Sequence, residues 1–156
     1  MGQSLRAQVA YGWRIEFDEY GEEPVRPLPW DEEDDIDDWW LQQTGFPVES
    51  PYGPDGNTDP GEEASAAYWA ARRVWLNEHP IPIEIERAGV TDYSMEVIIR
   101  PAGEAFEASF EGWKASPLTL AADLDADAIA AAEAFIRDHD LPVTGEFGPH
   151  ISASYW

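Results

Sequence analysis

Hydrophobic and polar residues alternate along several stretches of the chain, which is the pattern of a β-strand with one buried face. The longest stretch covers residues 6–17, where every second position from Val9 to Ile15 is hydrophobic. Shorter stretches follow at residues 81–87, 93–100 and 106–111, and a short final strand is expected at 151–155. Since the polar positions of these strands are mostly acidic, we expect a sheet with one apolar face and one acidic face.

Three other segments place hydrophobic residues three or four positions apart, which predicts amphipathic helices. They span residues 31–44, 62–79 and 123–139. Pro80 ends the second helix, and either Asp123 or Asp125 is the expected N-cap of the third. The expected inward stripe of the second helix consists of Ala64, Ala67, Tyr68, Ala71, Val74 and Trp75.

Helices and strands of this kind together predict an α+β fold. We expect about five strands in a mostly antiparallel sheet, with three helices packed on one face. The length of 156 residues suits a single domain over residues 1–156. Residues 47–61 include four Pro and three Gly, so this segment is expected to be a surface loop.

Acidic residues outnumber basic residues by 32 to 9, which gives a formal net charge of −23. This charge repels nucleic-acid phosphates and anionic lipids, so we expect neither direct nucleic-acid binding nor membrane binding. The absence of Cys excludes disulfides and thiolate chemistry. No apolar run reaches the roughly 18 residues of a membrane-spanning helix, and the first residues lack a signal-peptide core. We therefore expect a cytoplasmic protein.

The sequence contains no motif typical of an enzyme or of a cofactor site. There is no phosphate-binding loop, dinucleotide fingerprint or nucleophile elbow, and no two of the three His have metal-ligand spacing. Asp55, Asn57 and Asp59 match the first ligand positions of a calcium loop, but Pro60 stands where that loop needs Gly. We therefore expect no catalytic residues, no cofactor and no metal site.

The densest charge in the chain lies between positions 31 and 38. If this segment is helical, its eight residues rise about 12 Å, which gives one charge per about 1.7 Å. Duplex DNA carries one charge per roughly 1.7 Å of its axis. The segment is therefore either a strip that imitates nucleic acid or an ordinary solvated helix face. Its acids, the expected partner-binding strip, are Asp31, Glu32, Glu33, Asp34, Asp35, Asp37 and Asp38.

Further acids lie on the polar sides of three predicted strands. We expect them to contribute to partner binding, because a charge spread evenly over the surface would be too dilute to imitate nucleic acid. They are Glu84, Glu86, Glu96, Glu107 and Glu111.

Four tryptophans fall outside the apolar stripes: Trp30, Trp69, Trp113 and Trp156. If they are exposed beside acids, they would anchor a basic partner at an interface. The alternative is that they pack under loops or at the edge of the sheet.

Five short motifs occur along the chain: MGQSLRA at 1–7, AYGW at 10–13, TGF at 44–46, DYSM at 92–95 and SYW at 154–156. Together they resemble a family of small acidic proteins encoded by actinobacterial phages and prophages. The chain differs from the family pattern in the 47–61 loop and in having no Cys near its C-terminus. The resemblance implies a setting, an accessory phage gene product in the cytoplasm of an infected bacterium, but no particular activity.

The charge and the resemblance lead to one main hypothesis for function. The protein would be a phage accessory protein that mimics nucleic acid and thereby inhibits a basic host protein of defence or DNA transactions, such as a nuclease. Two alternatives stay open at this point. One is a halophile-type or merely acidic globular domain, and the other is a small metal-binding or enzymatic domain.

Overall fold

A computed structural model describes residues 5–21, 23–30, 36–89, 95–103, 107–111 and 124–155. For residues 5–8, 87–89, 95–96, 107–111 and 151–155 it describes the backbone alone. The chain divides into two compact units. We call Met1–Pro29 with Pro82–Trp156 the sheet unit, and Trp30–Ile81 the helical unit.

The described elements are five strands and three helices. In chain order they are β1 (Leu5–Ile15), α1 (Ile36–Thr44), α2 (Glu62–Glu78), β2 (Ile83–Gly89), β3 (Met95–Pro101), β4 (Glu107–Glu111), α3 (Ala126–Asp138) and β5 (Val143–Tyr155). Four strands of the sheet unit follow the order β2-β3-β1-β4, and β5 pairs with β1. Each of these pairings is antiparallel.

Strand β1 is the centre of the sheet, because it pairs with three other strands. Arg6 to Ala10 pair with β4, Trp13 and Arg14 pair with β3, and β5 accompanies β1 from Leu5 to Ile15. Gly12 lies where β1 meets β3. A Cβ atom at Gly12 would come within 2.8 Å of the Ile99 carbonyl carbon, so the close approach of the two backbones requires glycine.

Helix α3 packs against the hydrophobic side of β1. Leu124, Ala128 and Ile129 pack on the buried side chains of Val9 and Tyr11. The helix begins after Asp125. The Asp125 carboxylate accepts hydrogen bonds from the backbone N–H groups of Asp127 and Ala128, at 2.9 and 3.2 Å. Of the two caps considered from the sequence, Asp125 is therefore the one used.

The last strand is longer than the sequence pattern predicts. We expected a strand over residues 151–155, but β5 begins at Val143. Gly145, Gly148 and Pro149 interrupt the alternation and conceal the first half of the strand, since such residues are depleted in strands. Pairing along the whole of β1 overrides this preference, with a register shift between Gly12 and Arg14.

Strands β2 and β3 have the predicted register on their hydrophobic side. Ile85 lies opposite Ile99, Ile83 and Ile99 are buried, and Val97 is half-buried. The opposite side of β3 was expected to be acidic and exposed, and this prediction is wrong. Ile98 is fully buried there, and its neighbour Arg100 is only 4% exposed, so this part of the sheet is covered on both sides.

The helical unit consists of α1, α2 and the loop between them. Among the described residues α1 begins at Ile36, and the predicted first turn at residues 31–35 lies outside them. Trp39 and Leu41 are the buried side chains of α1. Trp40 Nε1 donates to the carbonyl of His79 at 2.7 Å, and Trp75 Nε1 donates to Thr44 Oγ1 at 2.9 Å. These two hydrogen bonds join the helices.

Helix α2 begins at the predicted residue and ends one residue earlier than predicted, but its inward face differs from the prediction. Tyr68, Ala71 and Trp75 are half-buried, as the predicted stripe requires. Val74 is instead 57% exposed, and Ala64 and Ala67 are also exposed. The stripe was therefore wrong at these three positions. The side chains that face inward are aromatic rings and Arg72. Within Glu62–Glu78, which is described throughout, Arg72 is the only buried residue.

The α+β class, the three helices and the antiparallel sheet are confirmed. Only α3 belongs to the sheet unit, whereas α1 and α2 belong to the helical unit. The packing of all three helices on one face of the sheet stays a prediction. None of the helices in the described ranges has the length and apolarity required to cross a membrane.

Candidate functional site

Arg72 is a buried charged residue of the helical unit, 7% exposed. Its Nη1 donates to Asp38 Oδ1 on α1, and its Nη2 lies 3.9 Å from Asp37 Oδ2. The guanidinium carbon also lies 5.0 Å from the ring centroid of Trp69, within the range of a cation–π contact. The side chain therefore fixes the first turn of α1 to the middle of α2.

The charge of Arg72 is stabilised by these contacts. Burial by itself lowers the pKa of the guanidinium, but the hydrogen bonds and electrostatic interactions with Asp38 and Tyr68 together outweigh it, so the pKa is raised. Because the ordinary pKa of arginine is already far above neutral, Arg72 is a permanent cation. It is a partner for acids and not a proton donor or acceptor.

Arg100 is a buried charged residue of the sheet unit, 4% exposed. It lies on β3 directly opposite Glu84 of β2, and its Nη2 forms an ion pair with that carboxylate. Its Nε and Nη2 are 3.0 and 2.9 Å from Glu86 Oε1. Nη1 donates to the carbonyl of Gly103 at 3.0 Å, so the guanidinium is surrounded by oxygen acceptors.

Four of the acids predicted to bind a partner are thus held by two buried arginines. Asp37 and Asp38 surround Arg72, while Glu84 and Glu86 surround Arg100. Each group contains two carboxylates and one guanidinium, which leaves it with a net negative charge. The side chains of Asp38 and Glu84 are about half exposed. These carboxylates are both fixed in position and accessible to a partner.

The other predicted partner-binding acids are described less fully. Asp31, Glu32, Glu33, Asp34 and Asp35 lie outside the described residues. Backbone register alone is described for the other three: Glu96 lies opposite Ala88, Glu107 opposite Ala10 and Glu111 opposite Arg6.

The two arginines were not identified as site residues from the sequence. Arg100 had a signal, because it lies on the same side of the alternating pattern as Glu84 and Glu86 once their strands are paired. Arg72 had none, since its partner Asp38 is 34 residues away on another helix.

The four tryptophans outside the predicted stripes have different surroundings. Trp30 is buried, and its ring centroid lies 5.3 Å from that of Trp39, so it packs in the helical unit. Trp69 is 46% exposed. Trp113 and Trp156 lie outside the described residues. Of the two tryptophans that can be compared, only Trp69 fits the hypothesis of an exposed anchor.

The loop over residues 47–61 uses its acids to shape its own backbone. Asp55 Oδ1 accepts the N–H of Asn57 at 3.2 Å, and Asp59 Oδ1 accepts the N–H of Gly61 at 3.0 Å. Such contacts are typical of Asx turns. Across the described ranges, no group of three or more His, Asp or Glu is placed to hold a metal ion.

No protein-family model, curated protein sequence or solved structure matches the chain. The chemistry of the site must therefore be inferred from its own residues. Fixed, half-exposed carboxylates on buried guanidinium groups can attract and orient a basic partner.

Proposed function

We propose that the protein binds a basic, nucleic-acid-binding protein and competes with its nucleic acid. In this proposal it is a phage accessory protein that acts in the cytoplasm of an infected bacterium. Its target would be a defence or DNA-transaction protein, such as a nuclease, whose basic groove accepts the acidic strip instead of phosphates. The net charge of −23 supports attraction to such a groove.

The observation that carries the proposal is the attachment of Asp37 and Asp38 to buried Arg72. These two acids are the last members of the strip over residues 31–38. Their carboxylates are already fixed on a folded scaffold. Binding a partner would therefore cost less free energy for ordering these side chains than binding through a flexible acidic tail would. The two acids are also at least one-third exposed at the side chain, so they remain within reach of a basic surface.

The test begins with partner capture. The immobilised protein is incubated with lysate of an actinobacterium, and the retained proteins are eluted with a salt gradient and, separately, with duplex DNA. We expect a basic nucleic-acid-binding protein that salt releases and that DNA displaces, because both ligands would use one groove.

Two variants with the same loss of charge then locate the binding surface. The strip variant changes Glu32, Glu33, Asp34 and Asp35 to the corresponding amides. The control changes four exposed glutamates of the sheet unit to Gln: Glu16, Glu23, Glu133 and Glu146. We expect the strip variant to associate more slowly with the captured protein and to show a flatter salt dependence, while the control retains most of the affinity. Equal binding by both variants at every salt concentration would contradict the proposal.

A further inference from the structure

Trp69 combines exposure with a fixed orientation. Its indole Nε1 donates to the hydroxyl of Tyr52 at 2.9 Å, and that hydroxyl lies 2.6 Å from Ser65 Oγ. The ring of Tyr68 packs edge-on at a centroid distance of 5.5 Å. Even so, nearly half of the Trp69 surface is open to solvent. An aromatic ring that is held in this way loses little conformational freedom when a partner covers it.

Exposed acids outnumber exposed bases in the loop and the helix that carry Trp69 and its neighbours. Glu62 lies two helical turns before Trp69 on the same side of α2 and is exposed. The loop that carries Tyr52 contains three exposed acids, Glu49, Asp55 and Asp59, and no base. The helical unit has only two Arg and no Lys. One of them, Arg72, is buried against Asp38, and the other, Arg73, is exposed one turn after Trp69.

The chemistry of this surface favours arginine as its ligand. A guanidinium plane stacks on indole more readily than an ammonium group does, and nearby carboxylates can accept its hydrogen bonds. Trp69 already has such a contact with Arg72 within the protein, at 5.0 Å. The exposed part of the same ring belongs to a helix that follows an acidic loop, and it offers a second arginine a comparable ring contact.

We propose that the cluster of Tyr52, Tyr68 and Trp69 is the anchor at which an arginine side chain of a basic protein segment docks. This inference rests on the function proposed above and refines it. Long-range attraction comes from the acids, and the contact at Trp69 gives the complex its lifetime. Centrally packed aromatic residues commonly have this role in interfaces.

The first experiment measures binding of a fluorescent nona-arginine peptide by anisotropy over a salt series. Trp69→Ala should weaken binding by about three- to tenfold, the range expected for loss of a cation–π contact. The loss should persist at high salt, since ring contacts are screened less than charge pairs. Glu62→Gln with Glu63→Gln should weaken binding at low salt only. Arg73→Gln should strengthen it slightly, because an exposed like charge is removed.

The matched control is Val74→Ala, which trims another exposed apolar residue of the same helix. It should leave peptide binding unchanged. Trp69→Phe keeps a ring in place and should lose less affinity than Trp69→Ala. Circular dichroism of each variant checks that the fold is retained.

A second measurement works on the parent protein and does not depend on the folding of any alanine variant. In a spectrum of ¹⁵N-labelled indole groups, nona-arginine should shift the Trp69 resonance more than the others, with Trp69→Phe giving the assignment. If other indoles shift and that of Trp69 does not, or if Trp69→Ala binds as the parent does, the anchor is wrong while the acidic binding function stands. If the parent does not bind the peptide even at low salt, the proposed function fails as well.

Discussion

Both compact units of the protein bury one arginine between two carboxylates, but they hold it by different means. In the sheet unit, Arg100 of β3 lies directly opposite Glu84 of β2 and also reaches Glu86, which is on β2 as well. Its remaining N–H groups point to backbone carbonyls. In the helical unit, Arg72 reaches one close carboxylate, Asp38, and its other side lies against the ring of Trp69.

The difference follows from the geometry of the two kinds of secondary structure. Paired strands bring opposite residues and their diagonal neighbours within reach of a long side chain, so one arginine can bind two acids spaced two positions apart. Two packed helices meet at fewer points, and an arginine between them has an apolar neighbour on one side. We therefore expect the loss of Arg100 to be more costly than the loss of Arg72.

This comparison also bears on the surface charge. An acid that is bound to a buried guanidinium keeps its position but shares its charge, whereas an acid without such a partner contributes its full charge to the surrounding field. A highly acidic protein can therefore contain both structural and partner-binding acids. The following experiments separate them, from the largest expected effect to the smallest.

Replacing Arg100 should have the largest effect. Arg100→Ala leaves Glu84 and Glu86 close together without their cation, and we expect the free energy of unfolding to fall by about 3 kcal/mol. Urea denaturation followed by circular dichroism gives the value. Arg137→Ala is the control, because Arg137 is exposed and its pair with Asp138 is on the surface; it should change stability by less than about 0.5 kcal/mol. A similar loss of unfolding free energy in both variants would mean that the buried ion pairs of Arg100 contribute no more to stability than a surface pair does.

Replacing Arg72 should cost less, about 2 kcal/mol, because Asp37 and Asp38 can be rehydrated at the surface. The control is the adjacent exposed residue, changed by Arg73→Ala. A raised pKa means that the charge of Arg72 contributes to stability below its ordinary pKa and is lost only as the pH rises through the raised value. The part of the difference in unfolding free energy between the parent and Arg72→Ala that arises from this titration should thus be constant from about pH 6 to about pH 9. A greater loss for Arg72→Ala than for Arg100→Ala would reverse the comparison.

Neutralising neighbouring acids of the strip should then give unequal results. Asp37→Asn with Asp38→Asn removes the partners of Arg72 and should lower the free energy of unfolding by about 1 kcal/mol. The same change at Asp34 and Asp35 should leave stability unchanged or raise it slightly, since it reduces repulsion between like charges. Thermal melts of the two double variants compare equal losses of charge. Equal melting temperatures would show that the ion pairs with Arg72 contribute nothing measurable.

The smallest effect is expected from salt. Raising KCl from about 0.1 M to about 1 M screens repulsion among the acids and weakens exposed ion pairs, so the two effects oppose each other. We expect the melting temperature to change by a few degrees at most. A protein that folds only at molar KCl would instead support the halophile alternative.

Much of the fold could be predicted from the sequence because the signals are local. Alternation identified the hydrophobic side of β2, and Glu62 and Pro80 marked the limits of α2 within one or two residues. Asp125 was one of two expected caps for α3 and proved to be the one used. Each of these features depends on residues that are near one another in the chain, so propensity and spacing are sufficient.

The features that the sequence could not predict depend on contacts between distant residues. The first half of β5 forms because β1 supplies hydrogen-bond partners along its whole length, in spite of Gly145, Gly148 and Pro149. Helix α2 turns Arg72 inward and Val74 outward because Asp38 and the aromatic rings offer the arginine a better environment than solvent. The spacing of hydrophobic residues within α2 does not predict that Arg72 faces inward and Val74 outward.

The sequence by itself determined the class of fold, most element boundaries and a strong negative charge, since these follow from local pattern and composition. Only the tertiary structure decided which of the described acids are held by buried arginines, and that Trp30 is buried while Trp69 stays exposed. The physical reason is that a buried charge is stable only with its partners in place. For Arg72 the closest carboxylate, that of Asp38, is 34 residues away in the chain, and tertiary packing brings the two together.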